Sequence, residues 1–143
     1  KRLEKLKIAN EEIPEERRVS YYGSEDDEIL LVGWGFTKGV VMDTLNILND
    51  KGIKAGYLHI RMFSPFPSKF VKEMLNKFEE NNIIAIEHNY LAQAAEIIHI
   101  NTGIKIKKNV IKYNGRPIYL NELVGAILRI LEGEDRVVLK YGP

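Results

Sequence analysis

Short apolar runs alternate with longer amphipathic segments along most of the chain. Residues 29–32 and 83–86 are continuous apolar runs, which are typical of strands buried on both faces of a parallel sheet. Three further β-prone runs lie at residues 19–22, 57–60 and 108–113. The pattern therefore predicts five strands.

Between and after these runs, apolar residues recur at the spacing of one helix face. They predict helices over residues 38–50, 67–78, 91–102 and 120–131, with Thr37 as the N-cap of the first. Strands that alternate with helices of about a dozen residues indicate an α/β fold. We expect a three-layer α/β/α sandwich built on a five-stranded, mostly parallel sheet.

The two ends of the chain do not share this alternation. Residues 1–18 are highly charged, include Pro14, and look like the end of a preceding helix followed by a linker. We expect the domain proper to span residues 19–133 and residues 134–143 to form a C-terminal tail. The first residue is not Met, and we expect this to be one domain of a longer polypeptide.

Composition limits the function classes. The 143 residues are enough for one domain with a substantial core, and 21 Lys and Arg nearly cancel 20 Asp and Glu. The resulting net charge of +1 does not indicate nucleic acid or an anionic membrane as a partner. The absence of Cys excludes disulfides, Cys-ligated iron–sulfur clusters and zinc ribbons within this chain. With neither a signal peptide nor an apolar run of roughly 20 residues, we expect a cytoplasmic location.

The most informative polar cluster is Glu87-His88-Asn89-Tyr90, directly after the apolar run 83–86. Ligands and partners are usually met at the carboxyl ends of parallel strands. Glu87 and His88 could act as a general acid–base pair, but neighbouring side chains on a strand point to opposite faces. The pattern therefore favours a helix cap with a buried hydrogen-bonding network.

Other candidate sites are weaker. The glycine-rich segment 33–39 joins a strand to a helix, but its spacing matches neither a dinucleotide loop nor a nucleoside triphosphate loop. His59, His88 and His99 lack metal-ligand spacing, and no Ser occupies a nucleophile elbow. Arg116 lies in a turn, where its guanidinium pairs with a carboxylate or phosphate of a partner or only with solvent.

Four motifs in register resemble one known family. They are Trp34-Gly35-x-Thr37-Lys38-Gly39, Pro65-Phe66-Pro67, Glu87-His88-Asn89-Tyr90-x-x-Gln93 and Lys112-Tyr113-Asn114-Gly115-Arg116-Pro117. Their order and spacing resemble the C-terminal domain of the large (alpha) subunit of archaeal 2-oxoacid:ferredoxin oxidoreductases. The resemblance covers residues 1–131.

The resemblance implies a function for the parent complex. Such enzymes oxidatively decarboxylate a 2-oxoacid, here 2-oxoglutarate or pyruvate, on thiamine diphosphate with Mg. They pass electrons through a [4Fe-4S] cluster to ferredoxin and release an acyl-coenzyme A. The family places these cofactors on other domains or on the beta subunit, so this chain is expected to bind none of them and not to be catalytic alone. Its expected partners are the beta subunit and the remaining alpha-subunit domains.

The family's domain is similar to the transketolase C-terminal domain, whose sheet order is 1-3-2-4-5 with the first strand antiparallel. The strands ending at Val32 and Ile86 are then neighbours at a topological switch point. We expect Gly35, Thr37, Lys38, His88 and Asn89 to line one crevice there, used mainly for docking. The candidate crevice and interface residues are Trp34, Gly35, Thr37, Lys38, Gly39, Phe63, Phe66, Glu87, His88, Asn89, Tyr90, Gln93 and Arg116.

Two positions depart from the family pattern. Phe36 stands where the family usually has Ser, and Tyr119 replaces a Thr-like cap, so the last helix is expected to lose its capping box while keeping Glu122. Two alternatives stay open: a flavodoxin-like nucleotide-binding or signalling module, and the equivalent domain of another thiamine diphosphate enzyme.

Overall fold

The computed structural model describes residues 1–140 as helices packed on both faces of one six-stranded sheet. The strands are β1 (Val19–Tyr22), β2 (Ile29–Trp34), β3 (Ala55–Ile60), β4 (Ile83–Glu87), β5 (Lys108–Ile111) and β6 (Arg136–Val138). The helices are α1 (Arg2–Glu12), α2 (Glu15–Arg18), α3 (Lys38–Asp50), α4 (Ser68–Leu75), α5 (Gln93–Thr102) and α6 (Leu120–Leu131).

The strand order is β1-β3-β2-β4-β5-β6, and only β1 pairs in the antiparallel sense among these strands. The expected order and orientation of the first five strands are therefore correct. The sheet has six strands and not the five expected, because Arg136–Val138 pairs with β5 within the region expected to be a C-terminal tail. Val137 and Val138 are β-prone, but a run of three residues is too short to predict a strand, and pairing with β5 makes it one.

Two apolar layers cover the sheet. Leu31, Ile84 and Val110 face α3 and α6, whereas Leu30, Val32 and Ala85 face α4 and α5. The alternation follows from the two-residue period of a strand, and burial on both faces explains the continuous apolar runs at residues 29–32 of β2 and 83–86 of β4. Neighbouring residues at the ends of these strands therefore project into different layers.

The N-terminal segment begins with a helix, as expected, but it is also helical further along, where a linker was expected. Helix α1 reaches Glu12 and has no buried residue, and α2 leads directly into β1. Arg18 is 2% exposed and donates hydrogen bonds to Oδ1 of Asn10 at 2.9 Å and to the carbonyl oxygen of Pro65 at 3.2 Å. This buried guanidinium ties both helices to the loop after β3.

Several boundaries differ from the sequence-based expectation. Helix α5 begins at Gln93, two residues later than expected, because Ala92 has a left-handed backbone with φ 53°. Helix α4 is confined to Ser68–Leu75 and β5 ends at Ile111. Within residues 1–140, no helix combines the length and apolar character needed to cross a bilayer.

Candidate functional site

The candidate residues converge on one edge of the sheet. The segments that follow the parallel strands are residues 35–38, 61–67, 88–92, 112–119 and 139–140. Because β2 to β6 run in the same direction, all five segments leave from the same edge, which we call the carboxyl edge. This is the edge at which ligands and partners of open α/β sheets bind.

Glu87 is the internal anchor of this edge. Its side chain lies in the α5 layer and the residue is 1% exposed. One carboxylate oxygen, Oε1, accepts a hydrogen bond from the backbone N–H of Ala95 at 2.9 Å, and Oε2 accepts one from Ala94 at 3.0 Å. A carboxylate at a helix N-terminus satisfies unpaired amides and complements the helix dipole. Glu87 therefore caps α5 and has no free oxygen directed to solvent.

Asn89 completes the cap without occupying the N-cap position. Its Nδ2 donates to Oε2 of Glu87 at 2.6 Å, and its Oδ1 accepts from the backbone N–H of Gln93 at 3.0 Å. The N-cap position belongs to Ala92, which has no side-chain acceptor. The helix cap expected in the Glu87-His88-Asn89-Tyr90 cluster is thus present, but Glu87 and Asn89 share it and reach past the loop to a helix that begins at Gln93.

His88 projects into the opposite layer, as expected for a neighbour on a strand. Its ring packs against Phe36, with ring centroids 4.4 Å apart. Burial and the positive charge of Lys112 lower the pKa of His88. Its Nε2 is enclosed and has no hydrogen-bond partner among residues 1–140. Glu87 and His88 therefore cannot act on the same atom.

A buried ion pair underlies this part of the edge. Lys112 has no exposed surface, and its Nζ donates to Oε1 of Glu122 at the start of α6. The ammonium also lies 4.9 Å from the ring centroid of Tyr119. The backbone N–H of Tyr119 donates to the same carboxylate oxygen at 2.9 Å. The sequence predicted that α6 loses its capping box while keeping Glu122. The structure retains the Glu122 half of that box, through the hydrogen bond from the backbone N–H of Tyr119.

Thr37 belongs to a buried hydrogen-bonding chain. Thr37 occupies the N-cap position of α3, as expected, but its hydroxyl donates to the carbonyl oxygen of Trp34 at 2.7 Å and makes no capping hydrogen bond. The hydroxyl of Tyr57 lies 3.3 Å from Oγ1 of Thr37 and 2.8 Å from Nδ1 of His59. Burial raises the pKa of Tyr57, and burial together with nearby cations lowers the pKa of His59.

Lys38 does not join His88 in one crevice. Its ammonium lies 4.8 Å from the ring centroid of Tyr22 on β1, on the side of β2 away from β4. Gly35 has φ +59°, which lets the chain turn sharply from β2 toward α3. At Gly39, an added Cβ would contact nothing within 4 Å. The prediction that Gly35, Thr37, Lys38, His88 and Asn89 line one crevice is therefore corrected. Thr37 is buried, and the side chain of Lys38 points away from His88.

Aromatic side chains cover the part of the edge nearest β3. Trp34 is 37% exposed and packs edge-to-face on Phe63, with centroids 5.8 Å apart. Phe63 is half-buried and contacts Phe66, which is only 8% exposed and belongs to the core. Phe66 is thus removed from the expected surface patch, because its ring fills space beneath the 61–67 loop.

A second aromatic group lies toward β5 and β6. Tyr90 is 58% exposed and packs edge-to-face on Tyr113 at 5.1 Å between centroids. The guanidinium of Arg136 lies 5.0 Å from the Tyr90 ring and donates to the Tyr90 carbonyl oxygen. Arg116 is exposed and makes no ion pair within residues 1–140. Its backbone N–H donates to Oδ1 of Asn114, which shapes the turn.

Between His88 and Arg116 lies a shallow pocket of about 380 Å³. Phe36 and Tyr113 also line it. Phe36 is 72% exposed and Tyr113 is 53% exposed, although neither was among the expected site residues. The signals were present, since Phe36 breaks the family pattern and Tyr113 lies within the fourth motif.

The donor set does not fit a metal cofactor. Within residues 1–140, no three His, Asp or Glu side chains are grouped so that they could hold a metal ion. The chain also lacks Cys, the ordinary ligand of iron–sulfur clusters. No chemical step is therefore assigned to these residues.

Fold and site together define an α/β domain that presents aromatic and basic side chains at the carboxyl ends of its parallel strands. Its family is shown by similarity to known proteins. The family model of the pyruvate:ferredoxin oxidoreductase core domain II matches residues 27–123. The alpha subunit of 2-oxoacid:ferredoxin oxidoreductase 1 from Aeropyrum pernix is 48% identical over 99% of this chain and 22% of that subunit.

Two solved structures agree. The alpha chain of a probable 2-oxoacid ferredoxin oxidoreductase from Thermoplasma acidophilum is 40% identical, with a TM-score of 0.57 over 80% of this chain and 97% of that one. The 2-oxoglutarate:ferredoxin oxidoreductase from Magnetococcus marinus, solved with 2-oxoglutarate, coenzyme A and succinyl-CoA bound, has a TM-score of 0.70. It is 21% identical, and the match covers 79% of this chain and 19% of that chain, so it shows the shared fold.

The chain belongs to the 2-oxoacid:ferredoxin oxidoreductase alpha-subunit family, as a domain of the core domain II type. The resemblance drawn from the four motifs is thereby confirmed. The chain spans 22% of the length of the Aeropyrum pernix subunit.

Proposed function

We propose that this chain is an assembly domain whose carboxyl edge docks against other parts of a 2-oxoacid:ferredoxin oxidoreductase. The observation that carries the proposal is the exposure of Trp34, Phe36, Tyr90 and Tyr113 on this one edge. Clustered exposed aromatic side chains are typical of protein interaction sites. The fold, the burial of Glu87 and the family to which the chain belongs also support a docking role for this edge.

The internal hydrogen bonds of the edge support an architectural role. A general base needs a free acceptor within reach of a substrate proton. Both carboxylate oxygens of Glu87 already accept backbone N–H groups, and Glu122 accepts from Lys112 and Tyr119. Glu87 and Glu122 are thus engaged in positioning α5 and α6. These hydrogen bonds fix the starts of α5 and α6, and the aromatic rings of the edge remain exposed to solvent.

For the parent complex we propose the reaction that the family resemblance implies. A 2-oxoacid, either 2-oxoglutarate or pyruvate, is oxidatively decarboxylated to an acyl-coenzyme A, and the electrons pass to ferredoxin. We further propose that thiamine diphosphate, Mg, the [4Fe-4S] cluster and coenzyme A are held by other domains or subunits; the lack of Cys in this chain supports this for the cluster. We also propose a cytoplasmic location for the complex.

The proposal is tested by hydroxyl-radical footprinting of the intact complex and of the isolated chain. Trp34, Phe36, Tyr90 and Tyr113 should be modified at least several-fold more slowly in the complex, because docking removes them from water. Ile100 on α5 is 80% exposed and lies away from the carboxyl edge, so it serves as an internal reference. Equal modification rates at the four aromatic positions would refute the assembly role of this edge.

Variants give an independent test. Phe36→Ala and Tyr113→Ala should leave the unfolding transition of the isolated chain nearly unchanged and weaken co-purification with the rest of the complex. Ile100→Ala is the matched control, since it also removes an exposed apolar side chain. Intact assembly of the double variant Phe36→Ala/Tyr113→Ala would contradict the proposal.

A further inference from the structure

Charge is distributed unevenly between the two edges of the sheet. The five segments of the carboxyl edge contain no Asp or Glu. Their five basic residues are Lys38, Arg61, Lys112, Arg116 and Lys140. The whole chain has a net charge of only +1, so the basic character of this edge comes from the topology and not from composition.

The opposite edge is acidic. The segments that precede the parallel strands are residues 23–28, 51–54, 76–82, 103–107 and 132–135. They contain five lysines and a larger set of acidic residues, namely Glu25, Asp26, Asp27, Glu28, Glu79, Glu80, Glu132, Glu134 and Asp135. Since the sheet brings each set of segments to one edge, the domain is electrically polar along its strand direction.

Four acidic residues lie near the carboxyl edge. Glu15 and Glu16 on α2 reach it because the antiparallel β1 begins opposite Ile60, and Glu15 accepts the backbone N–H of Phe70 at 2.7 Å. They are outnumbered by the exposed basic residues of this edge, which are Arg17, Lys38, Arg61, Arg116 and Lys140.

The other two acidic residues are Glu87 and Glu122. Glu87 is 1% exposed and is occupied by the N-terminus of α5. The side chain of Glu122 is 14% exposed and pairs with the buried Lys112. Lys38, Arg116 and Lys140 are exposed and form no ion pair within residues 1–140. The outward charge of the edge is therefore positive.

From this polarity we infer that the protein surface docked on the carboxyl edge is acidic. The inference rests on the proposed assembly role and names the chemistry of the partner. Cations that are desolvated at an interface without a counter-charge are strongly unfavourable, and docked surfaces match positive with negative potential. The partner is a carboxylate-bearing surface of another part of the same complex.

Arg116 is the centre of this recognition. It borders the pocket between the Phe36 and Tyr113 rings, so a partner carboxylate placed there meets a guanidinium among aromatic walls. Guanidinium binds carboxylate through two parallel hydrogen bonds, and an interface arginine among aromatic residues is a typical hot spot. Lys140 lies on the neighbouring segment after β6, and Lys38, on the segment after β2, extends the positive surface toward β1.

Zero-length carbodiimide cross-linking of the intact complex tests the inference directly, since it joins an ammonium only to a carboxylate in contact. Lys38 and Lys140 should couple to Asp or Glu residues outside this chain. Lys51 and Lys105, exposed on the amino edge, are the controls and should not. Absence of such cross-links at both Lys38 and Lys140 would overturn the acidic-partner inference.

Charge reversal gives the quantitative test. Arg116→Glu should weaken association of the complex at least tenfold, with the larger effect at low salt, whereas Lys105→Glu should leave it unchanged. The unfolding midpoint of each variant verifies folding, because both side chains are exposed. An unchanged association constant for Arg116→Glu would refute the inference.

The two proposals fail differently. If footprinting shows the aromatic residues protected but neither cross-links nor Arg116→Glu has the expected effect, the edge docks on a partner that is not acidic. The assembly role then stands and the inference falls. If the aromatic residues are unprotected in the complex, both fall.

Discussion

The side-chain amide of Asn89 donates a 2.6 Å hydrogen bond to the carboxylate of Glu87, two residues earlier in the chain. The same carboxylate accepts the N–H groups of Ala94 and Ala95. A strand end, a loop and a helix start are thus joined through one buried acid. A substitution of Glu87 is therefore expected to reduce the stability of the folded chain.

Replacing Glu87 tests this anchor. Glu87→Ala leaves the amides of Ala94 and Ala95 without an acceptor in a buried place and should reduce the free energy of unfolding by roughly 1–3 kcal/mol. Glu87→Gln keeps one acceptor oxygen and should lose less. Urea denaturation monitored by circular dichroism measures both. Equal stability of Glu87→Ala and the parent chain would contradict the capping role.

Asn89 should contribute less, because it supplies one acceptor to the helix and one donor to Glu87. Asn89→Ala is expected to cost about 1 kcal/mol of stability. Asn89→Asp keeps the acceptor for Gln93 but places a second carboxylate beside Glu87, so it should also destabilise the chain. Denaturation and activity of the reconstituted enzyme are measured together. A fully stable Asn89→Ala chain in an inactive enzyme would place this motif in a catalytic or coenzyme site.

The buried chain of Thr37, Tyr57 and His59 can be interrupted by removing one atom. Tyr57→Phe deletes the hydroxyl that lies 2.8 Å from Nδ1 of His59 and leaves that nitrogen unpaired. The loss should be about 1–3 kcal/mol of unfolding free energy, with no change in the helix content of the folded chain. Tyr22→Phe, which removes the hydroxyl of the ring stacked on Tyr57, is the matched control. If both variants lose the same stability, the buried hydroxyl of Tyr57 contributes no more than the hydroxyl of Tyr22, and the prediction is wrong.

Stability should depend on pH through two histidines. Burial lowers the pKa of both His59 and His88 in the folded chain, whereas the unfolded chain has ordinary values near 6.5. The unfolded state therefore binds more protons just below that pH, and the free energy of unfolding falls as the pH drops from about 6.5 toward the folded-state values. Above pH 6.5 this contribution is fully present.

Denaturation midpoints between pH 7 and pH 5 measure the effect. His59→Gln and His88→Gln should each flatten part of the slope. Acidic groups contribute at lower pH: the ion pair with Lys54 and the Ser24 hydroxyl lower the pKa of Asp26 to about 2. If the denaturation midpoint of the double histidine variant depends on pH between 7 and 5 as strongly as that of the parent chain, the two histidines are not the cause.

The alternation of apolar and amphipathic segments by itself determined the layer architecture, because burial on both sheet faces demands continuous apolar runs such as residues 83–86. It also gave the exact bounds of Lys38–Asp50 and Leu120–Leu131, whose apolar faces are long enough to define their ends. The four motifs identified the family.

Tertiary structure decided what local pattern could not express. Residues 136–138 become a strand only because β5 offers an unpaired edge, and Ala92 adopts a left-handed backbone because Glu87 and Asn89 cap α5 from a distance. The direction of Lys38 depends on the ring of Tyr22, a residue 16 positions earlier in the chain. The separation of charge between the two edges likewise exists only once the parallel strands bring distant segments together, since net charge records their sum and not their positions.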